Sequence, residues 1–180
     1  MKWLKSDIAV FLYKVLGIYI LWYFIYELWL LPAGWLDAWL TQNIAQIGHD
    51  FLRLFGYPAF VDGRHVGVSG TSGILLVDGC SGISAIGLFI GFVVAYPGRW
   101  IARILFIITG IGIIYIVNVI RIVGLTITLA EWPYLFSFMH DYSSTALFYV
   151  VIFGLWMIWV NNGGKKTKRS FEIEQPVSAA

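Results

Sequence analysis

The 180-residue sequence predicts an all-α polytopic membrane protein with about four transmembrane helices, an interfacial amphipathic helix and a short extracytoplasmic β-hairpin region. Three observations predict it. Hydrophobic residues make up 59% of the chain and charged residues only 12%, about half the charged share usual in soluble domains. Nine Trp, ten Tyr and thirteen Phe suit a chain whose rings gather at the headgroup level, where one edge is wet and the other apolar. Long apolar runs alternate with polar connections, and the basic residues cluster in only some of those connections.

The first apolar run, Ile8 to Leu31, is interrupted only by Lys14 and Glu27. It exceeds the roughly 20 residues that a spanning helix needs, which gives a first span at about 8–31. The run is too long for the apolar core of a signal peptide and lacks an evident small-residue cleavage site, so it reads as an uncleaved anchor. Lys14 and Glu27 lie near its ends and can snorkel to the interface.

Residues 32–79 read as an extracytoplasmic loop. Within it, Trp35, Leu36, Trp39, Leu40, Ile44, Ile47, Phe51, Leu52 and Leu54 recur at helical spacing among Asp37, Gln42, Asn43, Gln46 and Asp50. That pattern predicts a helix lying in the membrane interface. Asp62-Gly63, flanked by β-formers, predicts one or two short hairpins between Tyr57 and Asp78.

Further spans are expected at about 80–97, 101–126 and 143–161. The apolar run Ile83 to Tyr96 is short, so the second span is taken to begin at Cys80. Gly87 and Gly91 form a Gly-x-x-x-Gly pair, which reads as a close helix contact rather than as chemistry. Residues 1–162 thus form one integral-membrane domain, and 163–180 read as a disordered cytoplasmic tail.

Lys2 and Lys5 precede the first span, Arg99 and Arg103 join the second and third, and Lys165, Lys166, Lys168 and Arg169 follow the fourth. With four spans all three clusters fall on one side, which the positive-inside rule makes the cytoplasm. Both termini are then cytoplasmic. The same topology brings three reactive side chains to the outer face: Cys80 at the start of the second span, Arg121 roughly 27 Å along the helix from Arg103, and His140 just before the fourth span.

These residue types fit thiol acyl transfer. A free thiol, with a pKa of about 8.5, is little ionised at neutral pH and is activated by a nearby cation or base. His140 can serve as base and then as acid toward a leaving amine, Arg121 can donate to a thiolate or an oxyanion, and a helix dipole can favour the anion at Cys80. Taken singly, each has an ordinary explanation: an inert apolar cysteine, a solvated histidine, a snorkelling arginine. An arginine inside an apolar run is nonetheless a functional candidate, and the coincidence of all three at one height favours chemistry.

Asp78-Gly79-Cys80-Ser81-Gly82 resembles the Cys-Ser-Gly block of the exosortase and archaeosortase family. Asn118-Val119-Ile120-Arg121-Ile122 resembles its Asn-x-x-Arg block, and His140 matches its histidine before the last helix. The resemblance covers about Val61 to Val160. It implies a catalytic triad of Cys80, Arg121 and His140, with Asn118, Ser81 and Gly82 as supporting positions and with no metal or cofactor. It also implies a bacterial inner-membrane enzyme with its site facing the periplasm. The implied partners are exported proteins whose carboxy-terminal sorting signal comprises a short motif, a transmembrane helix and a basic end.

A non-catalytic membrane assembly subunit is the alternative, its outer polar residues serving only to join helices. The formal net charge of +2 and the lack of a basic stripe with stacking aromatics outside the tail give no nucleic-acid partner. A single cysteine excludes an intrachain disulfide and a Cys-x-x-Cys pair. No His-Glu-x-x-His, Gly-x-Ser-x-Gly or phosphate-loop pattern is present, and no paired broken helices point to a transporter. His49 and His65 are given no role.

Overall fold

Helix α1 (Lys2–Ile25) begins the computed structural model, which describes residues 2–163. It runs through a π-helical turn, Tyr26–Leu30, into the short α2 (Leu31–Ala33). Gly34, at a φ of 66°, ends this rod in a left-handed conformation open to glycine. Helix α3 (Trp35–Leu54) follows and buries Thr41, Ile44, Ala45, Gly48 and Leu52 while Gln42 and Gln46 stay exposed. One expected member of its polar face does not behave as such. Asp37 is 0% exposed, because it lies under the phenol of Tyr26.

Strands β1 (Ala59–Asp62), β2 (His65–Val68) and β3 (Ile74–Leu75) form an antiparallel sheet in that order. Asp62 pairs with His65, so Gly63 and Arg64 make the connection. A 3-10 turn, Asp78–Cys80, leads to α4 (Ile83–Ala95). Then come α5 (Trp100–Glu131), a 3-10 turn at Pro133–Leu135, α6 (Phe136–Phe138), a π-helical turn at Met139–Ser143 and α7 (Ser144–Gly163).

The protein is mostly helical, and three stretches are long and apolar enough to cross a membrane: Ala9–Ala33, Trp100–Glu131 and Pro133–Gly163. Helix α4 is apolar but has only 13 residues. It does not start at Cys80, as its sequence led one to expect, because Gly82 takes a φ of 80° and interrupts the helical backbone before Ile83. Helix α5 runs past the expected end at 126. The Thr126 and Thr128 hydroxyls donate to the carbonyls of Ile122 and Gly124 one turn earlier, so these polar residues are accommodated within the helix. Of the expected tail, Gly163 is the last residue of α7 and 164–180 lie outside the described residues.

Two packed cores share α5. Ile114 joins Phe89, Val93, Ile152, Leu155 and Trp159 from α4 and α7. Val119, Ile122, Val123 and Leu125 instead join Ile44, Ala45 and Leu52 of α3 and Val66, Ile74 and Leu76 of the sheet region. A 32-residue helix is about 48 Å long, whereas the hydrocarbon core is about 30 Å thick. The surplus length therefore supplies a wall for the second core. The Gly-x-x-x-Gly pair serves packing: a Cβ on Gly87 would run into the Trp22 indole, and one on Gly91 would lie 3.3 Å from Ile18.

Candidate active site

Asn118 stands on α5 between the two cores and is 1% exposed. Its Nδ2 donates to the carbonyl of Cys80 at 2.8 Å and to that of Ser81 at 3.0 Å. Two carbonyls left over where the 3-10 turn ends are thereby satisfied by one side chain. Ser81 Oγ accepts from the N–H of Ile83 at 3.3 Å, a local side-chain turn that leads into α4. Gly82 completes the arrangement, since a Cβ there would lie 3.1 Å from Asn118 Nδ2. Cys80 therefore ends a 3-10 turn ahead of α4 rather than opening that helix, and its side chain is 9% exposed within the core of α3, the sheet and α5.

The other end of the turn is tied as well. Arg64, in the β1–β2 connection, forms an ion pair with Asp78. Sequence reasoning missed this pair because its partners are 14 residues apart and meet only through the sheet.

Arg121 follows Asn118 by three residues, so the two share a face of α5. Its guanidinium carbon lies 5.6 Å from the ring centre of Phe148 on α7, a cation–π distance. Its buried Nε has no hydrogen-bond partner among the described residues. Arg121 lines a cavity of about 350 Å³ together with Gly79, Gly82, Ser84 and Phe148. That cavity reaches Gly79, just before Cys80, and Gly82, two residues after it, while the Cys80 side chain faces the packed core. Arg121 also borders a second cavity of about 200 Å³, shared with Met139 and Leu147.

His140 sits in the π-helical turn before α7. Its Nδ1 lies 2.9 Å from Asp141 Oδ1, and its ring stacks on Phe136 at 5.7 Å. These contacts orient the imidazole, with Nε2 as the remaining ring nitrogen. Its neighbour Met139 packs against the core that contains Cys80. Among the described residues no hydrogen bond joins His140 to Cys80 or Arg121. The structure thus joins Cys80, Ser81, Gly82 and Asn118 directly, while Arg121 shares a helix face with Asn118 and a cavity with Gly82. His140 stands in its own turn, held by Asp141 and Phe136.

A second polar group was not apparent in the sequence. Tyr26 donates to Asp37 Oδ1 at 3.2 Å, and it lines a cavity with Ser84 in the first turn of α4. The other two histidines make local contacts, His49 with Asp50 and His65 with the Ser72 carbonyl. Among the described residues there is no group of three or more His, Cys, Asp or Glu that could hold a metal ion.

A family model described as transmembrane exosortase matches residues 7–157. The chain belongs to the transmembrane exosortase family. The match takes in Cys80, Asn118, Arg121 and His140 and extends well upstream of the blocks from which the resemblance was read. No curated protein and no solved structure matches the chain. Exosortase membership makes this a membrane protein of a class associated with sorting-related transpeptidation.

Proposed function

We propose that this exosortase is a cysteine transpeptidase that cleaves the carboxy-terminal sorting signals of exported proteins at the outer face of a bacterial inner membrane. The observation that carries the reading is the double hydrogen bond from Asn118 to the carbonyls of Cys80 and Ser81. It makes one rigid unit of two sequence blocks, with Arg121 on the same helix face. In the reaction the Cys80 thiolate attacks the scissile carbonyl and Arg121 donates to the oxyanion that develops. His140 takes the thiol proton and returns it to the leaving amine as the C–N bond breaks. An acceptor nucleophile then releases the thioester and restores the thiol.

In this reading α4, flanked by the Asp78–Cys80 turn and Tyr96, completes a fourth crossing, and both termini are cytoplasmic. The basic clusters support that orientation. The substrates are proteins with a short motif, a transmembrane helix and a basic end, which meet the enzyme within the bilayer. Because Cys80 is the sole cysteine, its chemistry can be followed without ambiguity. A small membrane-impermeant thiol reagent applied from outside should label it and block processing, and His140→Ala should slow that labelling. Labelling only from the cytoplasmic side would overturn the orientation, and processing that survives complete labelling would overturn the thiol mechanism.

A further inference from the structure

Asp37 is 0% exposed, and its Oδ2 is buried without a hydrogen-bond partner among the described residues. Burying an acidic group with one oxygen unpaired costs free energy, and such a group in a native structure calls for an explanation. Its Oδ1 accepts from Tyr26, itself 3% exposed. The Tyr26 phenol is held from a second direction by stacking on Trp22 at 5.6 Å and 10°. Helix α3, which carries Asp37, packs against the Asp78–Cys80 turn, and Tyr26 lines a cavity with Ser84 at the start of α4, which leaves its hydroxyl near the side chains of Ser84 and Ser81. Ser81 adjoins Cys80, presents its carbonyl to Asn118 and accepts from the Ile83 N–H. A hydroxyl has one donor and two acceptor positions, so Ser81 can accept from Ile83 while donating to Tyr26.

We propose that Asp37 and Tyr26 are positioning residues for Cys80. The Asp37 carboxylate fixes the Tyr26 phenol, and the phenol oxygen receives the serine hydroxyls, holding the Cys80-Ser81-Gly82 turn in register with Asn118 and Arg121. The proposal rests on the reading of Cys80 as the nucleophile. It gives the π-helical turn at Tyr26–Leu30 a purpose, since Tyr26 is its first residue and its only buried one, and such turns often lie at functional sites.

Three variants separate positioning from mere packing. Tyr26→Phe keeps the stacked ring and removes the hydroxyl, Asp37→Ala removes the acceptor, and Asp37→Asn retains an acceptor oxygen. The assay uses membranes holding the full chain and an exported reporter fused to a carboxy-terminal tail encoded in the same genome. Its readout is the processing rate at saturating reporter, per folded protein. Tyr26→Phe and Asp37→Ala should each lower that rate by about two- to tenfold, the range one buried hydrogen bond sustains, with the half-saturating concentration unchanged. Asp37→Asn should recover most of the loss, and the double variant should be no slower than the slower single one. A purely structural contact would reduce the amount of folded protein and leave the rate per molecule intact. An unaltered rate per molecule in Tyr26→Phe overturns the proposal, even if Asp37→Ala fails to accumulate. Cys80→Ala measured in parallel distinguishes the two failures: if it is inactive while Tyr26→Phe is normal, only the positioning role falls. If it remains active, the nucleophile reading falls and takes this proposal with it.

Discussion

The side-chain amide of Asn118 is bonded to the backbone of Cys80 across 38 residues of sequence, with Nδ2 2.8 Å from the Cys80 carbonyl oxygen. Asn118→Ala should leave two buried carbonyls without donors, each costing about 1–3 kcal/mol. Asn118→Asp should be worse despite its matching shape, because it turns an acceptor toward both carbonyls. Membrane levels and thermal unfolding of the detergent-extracted proteins should rank wild type above alanine and alanine above aspartate. Equal stability of the aspartate variant and wild type would contradict the bonding arrangement.

Arg121→Lys should be nearly as damaging to processing as Arg121→Ala, although it keeps the charge. A planar guanidinium over Phe148 presents several fixed donors, whereas an ammonium is a compact point charge. Loss of a well-placed oxyanion donor costs about 10²–10³ in rate. Cleavage per folded protein, compared for the two variants, should fall by that order in both. Near-normal turnover with lysine would remove Arg121 from the chemistry.

Gly87→Ala should weaken the seam between α1 and α4, since the added methyl meets the Trp22 indole. Overpacking of this kind typically costs about 1–3 kcal/mol. Gly112→Ala is the control, because nothing lies within 4 Å of its Cβ position. Thermal stability in detergent should drop for the first and hold or rise for the second.

Reporter fusions after Val160 and within Asp62 to Ser72 should report opposite compartments. The same compartment for both would sink the four-crossing arrangement.

Much of this architecture was legible in the sequence because length and apolar period are local properties. Ile8 to Leu31 and Ile101 onward read as spans from composition alone, and α3 from the 3.6-residue recurrence of Trp35, Leu36, Trp39 and Leu40. Cys80 and Arg121 were visible as candidates from their common height at the outer ends of apolar runs, and Asn118 only from the resemblance of its block to the exosortase family. What the sequence hid depends on tertiary pairing. Asp37 looked like one more polar residue on an amphipathic helix, since its partner Tyr26 lies across the break at Gly34. The start of α4 was misplaced because a stretch of apolar and small residues gives no warning that Gly82 turns left-handed, and the end of α5 because threonine hydroxyls can bond back within the helix. The Arg64–Asp78 pair required the sheet to bring its members together.

The central claim is that the Cys80 thiol forms the bond to substrate, and Cys80→Ala tests it most directly. The alanine variant should insert and accumulate like wild type, because it removes a single sulfur from a packed core, yet its reporter substrate should remain wholly uncut. Cys80→Ser should also be inactive, since a hydroxyl supplies almost no anion for attack. The measurement is the ratio of cut to uncut reporter at matched membrane levels of enzyme. The account predicts no cut product above that of cells lacking the enzyme; substantial cut product from the alanine variant would contradict it.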